Sequence, residues 1–224
     1  MKVKLILLSG LDGTGKLFAP FIESLPPKIE TQVIAYPTNK TLSYDALVTL
    51  VMSELPKEEE FTLLAESFSG YIAYRIALER PRNLKSLIFV ATFLENPRPF
   101  LSKFLPIVPM KLMLSLPMPC FIAKHFLLGN ETLVEELQQT LKEVPSEILY
   151  GRLLEIIQLQ KATQQLSIKT IYLQATNDKL VPKRVYEVFE KLFSDINKIE
   201  IEGSHLILQG NPVESAVMVK KFLC

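Results

Sequence analysis

Between Phe61 and Leu78 a strand-like run changes into a helix-like run with no residues left for a loop. Phe61 to Ala65 is a short apolar run, and Tyr71 to Leu78 carries its apolar residues at helical spacing, so the chain must reverse at Ser67 itself. A turn that sharp puts the serine at an exposed tip. It also brings the residues two before and two after nearly into contact, so both must be small, and they are Ala65 and Ser69. This is the steric logic of G-x-S-x-G with Ala and Ser in place of the two glycines. Ser69 is the rival tip residue, but a turn centred there would force Tyr71 into the crowded position. Ser67 is therefore the candidate nucleophile.

The same strand-then-helix unit recurs along the chain. Val3 to Ser9 is apolar and stops at Gly10-Leu11-Asp12-Gly13-Thr14-Gly15, after which Leu17, Phe18, Phe21, Ile22 and Leu25 fall at helical spacing. Thr31 to Tyr36 is a second strand ending at Pro37, and Ser43 offers an N-cap to a helix bearing Leu47, Leu50 and Val51. The third unit is Phe61 to Glu66 followed by a helix from Phe68 to Glu79. Leu84 to Phe93 is almost wholly apolar, as expected of a strand covered on both faces. Residues 95–163 then show no strand. The pattern resumes with strands at Ile168 to Ala175 and Ile196 to Glu202, a helix from Val181 to Phe193, and a last helix from Asn211-Pro212 with Val213, Val217 and Phe222 inward. The alternation predicts one α/β domain over residues 1–224, with a mostly parallel six-stranded sheet and helices on both faces.

Residues 95–163 read as a helical cap inserted over the sheet's carboxyl edge. The first half is dense in Pro, Phe, Leu and Met; the second half reads as two amphipathic helices, one with Leu133, Leu137 and Leu141, the other with Leu149, Leu153 and Ile156. Phe100, Phe104, Leu105, Met110, Met113 and Met118 are expected to line or cover an apolar pocket above Ser67. The longest uncharged run, Leu112 to Ala123, has two prolines and falls short of the roughly 18 residues a membrane-spanning helix needs.

Lys plus Arg (25) nearly balances Asp plus Glu (24), which removes the electrostatic footprint of a nucleic-acid binder and favours a small uncharged or apolar partner. Cys120 and Cys224, with only two histidines beside them, form neither a disulfide framework nor a metal-ligand cluster. The apolar run after Met1-Lys2-Val3-Lys4 is too short for a signal peptide. A cytoplasmic protein without metal or cofactor is expected.

A serine nucleophile needs a base and an orienting acid from elsewhere in the chain. His205 follows the sixth strand, where ligands gather in open α/β sheets, whereas His125 lies in the cap. Asp178 follows the fifth strand, although an Asp before a helix starting near Val181 also serves as an ordinary N-cap. Asp195 precedes a strand, Asp45 sits inside a helix and Asp12 lies in the first loop. The order Ser67, Asp178, His205 is that of nucleophile, acid and base in this fold class. Backbone N–H groups of Phe68, at a helix start, and Leu11, in the first loop, are the candidate oxyanion donors.

Taken together, Ser9-Gly10-Leu11-Asp12-Gly13-Thr14-Gly15, Ala65-Glu66-Ser67-Phe68-Ser69-Gly70, Asp178-Lys179-Leu180-Val181-Pro182 and Gly203-Ser204-His205 resemble the small, capped α/β-hydrolases over nearly the whole chain. Ser9 stands where many members carry histidine, Ala65 replaces a glycine, and the usual initial antiparallel strands are missing. The resemblance implies a strand order of 2-1-3-4-5-6 with Ser67 beside the switch point. The expected function is a serine hydrolase that cleaves carboxylic esters of small or medium apolar acyl groups through an acyl-enzyme on Ser67, with thioesters as the alternative. Two other readings compete. Gly10 to Lys16 fits the G-x-x-x-x-G-K of a nucleotide-binding loop, but Leu17 stands where Ser or Thr must hold magnesium. The other is a non-catalytic binding module, against which the complete set of Ser67, Asp178 and His205 argues.

Overall fold

The computed structural model describes residues 3–102 and 131–223. Six strands form one sheet in the order β2-β1-β3-β4-β5-β6, every neighbouring pair parallel. They are β1 Val3–Leu8, β2 Ile29–Ile34, β3 Phe61–Glu66, β4 Leu84–Val90, β5 Lys169–Ala175 and β6 Ile196–Ile201. The described helices are α1 Ala19–Ser24, α2 Tyr44–Glu54, α3 Gly70–Leu78, α4 Pro99–Ser102, α5 Glu131–Lys142, α6 Ser146–Ile157, α7 Tyr186–Leu192, α8 Ile207–Gly210 and α9 Pro212–Leu223.

Successive strand residues point to opposite faces, and here both faces are buried. Ile6, Leu8, Leu63, Ala65, Leu87 and Phe89 pack with Leu47, Val51, Ile72 and Phe189 of α2, α3 and α7. Their neighbours Leu5, Leu7, Leu64, Ile88 and Val90 pack with Phe21 of α1 and Ala216 and Val219 of α9. Two cores back to back explain why the central strands read as continuous apolar runs. The register pairs Leu8 with Ala65, Glu66 with Val90 and Ala175 with Ile201, so the ends of these strands finish level. The loops that follow share that edge.

Strand ends, helix bounds and one helix face differ from expectation; the helix expected over Val181 to Phe193 is a 3-10 turn at Lys183–Val185 followed by α7 at Tyr186–Leu192. β2 begins at Ile29 because its ladder with β1 starts at the Val3–Ile29 pair, and Tyr36 lies past the strand end as a buried side chain. β4 stops at Val90 because Ala91 turns into the left-handed region at φ 43°. In α9 the inward face is Ser215, Ala216 and Val219, with Phe222 partly buried, while Val213 and Val217 are 68% and 41% exposed. The small residues take the inner face because the helix lies close against Phe21, Ile22 and Leu25.

Between β4 and β5 the described elements are the helices α4, α5 and α6, and the apolar residues of α5 and α6 sit over the carboxyl-edge loops. Leu133, Val134 and Leu137 of α5 pack with Leu17, Leu141 and Leu206; Ile148 and Leu149 of α6 pack with Val144 and Leu11.

Candidate active site

Ser67 has φ 49°, a backbone conformation that non-glycine residues rarely adopt and that costs of order 1–3 kcal/mol. The turn is held from both sides. Gly70 N–H and the Thr92 hydroxyl both donate to the Ser67 carbonyl. A Cβ at Gly70 would fall 2.0 Å from Thr92 Oγ1, so the residue after Ser69 must be glycine for the turn to pack against Thr92. Ser69 is fully buried, with its hydroxyl bonded to Tyr36 and to the Ser9 carbonyl. That hydroxyl serves structure.

His205 reaches Ser67 from the loop after β6. Asn177 N–H donates to Gly203 O (2.9 Å) and Gly203 N–H to Thr176 Oγ1 (3.2 Å), tying this loop to the one after β5. His205 Nε2 lies 2.8 Å from Ser67 Oγ, and Nδ1 lies 2.8 Å from Asp178 Oδ2. With the proton on Nδ1 the ring donates to Asp178 and accepts from the serine hydroxyl. The other carboxylate oxygen, Asp178 Oδ1, accepts from Leu180 N–H and Val181 N–H at 2.8 Å each, so Asp178 also caps the turn as an ordinary Asp would. Burial alone would push the imidazole pKa down; the charge and hydrogen bond of Asp178, with Glu66 adding to them, leave it above its ordinary value.

The loop after β1 passes directly over Ser67. A Cβ at Gly10 would sit 3.8 Å from Ser67 Cβ and 3.9 Å from Glu66 Oε2. Leu11 is the next residue, and Phe68 opens the turn that follows Ser67, where an N–H has no carbonyl four residues back to bond. The phosphate-loop spacing has a packing cause: a Cβ at Gly15 would strike Val33 at 2.2 Å, Leu17 is buried, and Lys16 is ion-paired with Glu143.

Two charged residues at the site escaped the sequence reading. Glu66, 3% exposed, accepts from Gln209 Nε2 at 3.1 and 3.3 Å, and burial pushes its pKa up to about 7. Arg152, 2% exposed, reaches down from α6 to main-chain carbonyls of the first loop. It falls in helical phase with Leu149, Leu153 and Ile156, and a charge on an apolar stripe was the available signal.

Of the other aspartates, Asp12 is buried and accepts from Thr14, Asp45 pairs with Arg75 at the surface, and Asp195 is exposed before β6. Phe100 is 69% exposed. Phe104, Leu105, Met110, Met113, Met118, Cys120 and His125 lie outside the described residues. Among the described residues, no three His, Cys, Asp or Glu side chains gather as a metal site, and no helix is long and apolar enough to cross a membrane.

The chain is similar in structure to a thermophilic esterase from Thermogutta terrifontis, at 18% identity and a TM-score of 0.79, with 100% of this chain and 90% of that one covered. MenH from S. aureus matches at 18% identity and a TM-score of 0.76, covering 99% and 93%. ClbQ from the colibactin pathway matches at 14% identity and a TM-score of 0.75, covering 99% and 97%. No relative is found among curated protein sequences. The family model described as serine aminopeptidase, S33, matches residues 42–208, which span the elbow, Asp178 and His205. The chain belongs to this family of α/β-hydrolases.

Proposed function

We propose that this hydrolase cleaves carboxylic esters of small or medium apolar acyl groups through an acyl-enzyme on Ser67. The observation that carries the reading is the continuous chain Ser67 Oγ, His205, Asp178, with both links at 2.8 Å and the serine held on a strained turn. His205 Nε2 takes the hydroxyl proton as Ser67 Oγ attacks the acyl carbon; the carbonyl π electrons move to oxygen, and the N–H groups of Leu11 and Phe68 receive that oxyanion. Collapse expels the alkoxide, which takes the proton from His205. Water then repeats the sequence, releasing the acid and free Ser67. Asp178 keeps the imidazole in the productive tautomer and stabilises the imidazolium without itself accepting the proton.

In this reading residues 95–163 cap the site, the substrate is a small molecule, the chemistry runs on protein groups alone, and the setting is cytoplasmic.

An activity-based fluorophosphonate probe tests the assignment. Wild type should be labelled and should hydrolyse p-nitrophenyl butyrate, and Ser67→Ala should do neither. Equal labelling of the two proteins would sink the mechanism, and preference for a thioester over its oxygen ester would keep the triad but change the substrate class.

A further inference from the structure

We infer that Arg152 is a positioning residue for the oxyanion amide: its guanidinium, delivered by α6, pins the turn that presents Leu11 N–H to the substrate. The inference rests on the proposed role of Leu11.

Residues 10–13 expose four consecutive carbonyls, and each is engaged. Gly10 O accepts from Gly13 N–H at 3.2 Å, and Gly13 O accepts from Tyr36 N–H at 2.7 Å. The two in the middle belong to Arg152, whose Nη1 donates to Leu11 O at 2.8 Å and Asp12 O at 2.6 Å. Its Nη2 donates to Pro37 O at 3.0 Å, and the guanidinium lies 5.8 Å from the Tyr36 ring centroid. One side chain therefore joins the turn to the segment after β2 and fixes the plane of the peptide that follows Leu11. A rigid guanidinium fork can do this where a point charge cannot.

The surroundings leave room for it on both sides. A Cβ at Gly13 would come 2.5 Å from Arg152 Nη1, and a Cβ at Gly151 would come 2.3 Å from Thr41 Cγ2. The first glycine makes space for the guanidinium; the second lets α6 approach closely enough to deliver it. Burying a cation is costly, and burial accordingly pushes the Arg152 pKa down. An apolar side chain would tie α6 to the body at lower cost. What an apolar side chain cannot do is hold two adjacent carbonyls in a fixed orientation.

The test compares Arg152→Met, which keeps most of the volume, and Arg152→Lys with wild type. An exposed control, Arg75→Met on α3, accompanies them. Kinetics on p-nitrophenyl butyrate are combined with the inhibition constant of an alkyl trifluoromethyl ketone, whose hemiketal oxyanion must occupy the same donors. Removing an oxyanion donor outright costs about 10²- to 10³-fold. Arg152→Met, which only loosens one, should lower kcat by about 10- to 100-fold with KM within about twofold, and should weaken the ketone by the same factor as kcat/KM. Arg152→Lys should fall between, and Arg75→Met should match wild type. Added guanidinium ion should restore part of the activity of Arg152→Ala, which keeps the question answerable if Arg152→Met melts below the assay temperature. A folded Arg152→Met with unchanged kcat and ketone affinity, or one in which only KM rises, overturns the inference. Ser67 unlabelled by fluorophosphonate in wild type would overturn the underlying reading instead.

Discussion

Asp178 divides its two carboxylate oxygens between two jobs, and the division makes them separable by mutation. Oδ1 holds Leu180 N–H and Val181 N–H, while Oδ2 faces His205 Nδ1. Asparagine can keep the first set of bonds with its own oxygen, but then presents an N–H₂ to the ring nitrogen and favours the wrong imidazole tautomer. In a serine protease that change costs roughly 10⁴ in turnover. Asp178→Asn should therefore melt within about 1 kcal/mol of wild type yet lose most esterase activity, while Asp195→Asn should lose little. Parallel thermal melts and p-nitrophenyl ester assays decide it; the reverse pattern would mean that the acid has been misassigned. Asp178 was legible in the sequence because it follows a strand at the ligand-bearing edge, as do Ser67 and His205. Glu66 and Arg152 were not, because their importance comes from burial among partners distant in sequence, Gln209 in one case and Leu11, Asp12 and Pro37 in the other.

The elements were legible where burial is two-sided or striped and illegible where close approach decides. β1 and β3 announce themselves because each alternate residue enters one of two cores. The stripe of α5 follows the expected spacing because large residues, Leu133 and Leu137, face the body, whereas in α6 only Leu149 of the expected Leu149, Leu153 and Ile156 is buried, beside Ile148 and Arg152. In α9 the same rule failed, since Ser215 and Ala216 pack inward while Val213 stays outside. Apolar periodicity finds the greasiest face of a helix, and here the closest-packed face is the smallest one. The cap carries the substrate-length prediction. Each methylene buried contributes about 0.8 kcal/mol, so lengthening an acyl chain by two carbons should raise kcat/KM by up to about tenfold until the site is full. A p-nitrophenyl series from acetate to octanoate measures this, and a flat response would remove the apolar pocket from the reading.

At the scale of the whole molecule, near-neutral overall charge leaves the pH dependence of stability to individual buried groups, and Glu66 is the strongest case. Its carboxyl titrates at 4.5 when exposed and at about 7 in the fold, because burial disfavours the ionised form. The native state thus holds this proton more tightly than the unfolded chain. Stability from this group is full below the unfolded value, falls as pH rises from 4.5 toward 7, and levels off above; a rise of that size corresponds to on the order of 3 kcal/mol. His205 acts in the same direction, since a raised imidazole pKa gives stability that is lost as pH climbs through the folded value. Gln209 Oε1 is buried without a partner among the described atoms, whereas a protonated Glu66 carries an O–H and a glutamine an N–H₂ with which to meet it. Glu66→Gln should therefore melt close to wild type at pH 5 and well above it at pH 8, at about 2–4 °C per kcal/mol for a chain of this size. Because the Glu66 charge helps to keep a proton on His205, the rising limb of kcat/KM should also move to lower pH. Melts at the two pH values and a rate profile between them test both consequences. A variant that melts below wild type at pH 8 would show that ionised Glu66 is held by the fold and not opposed by it.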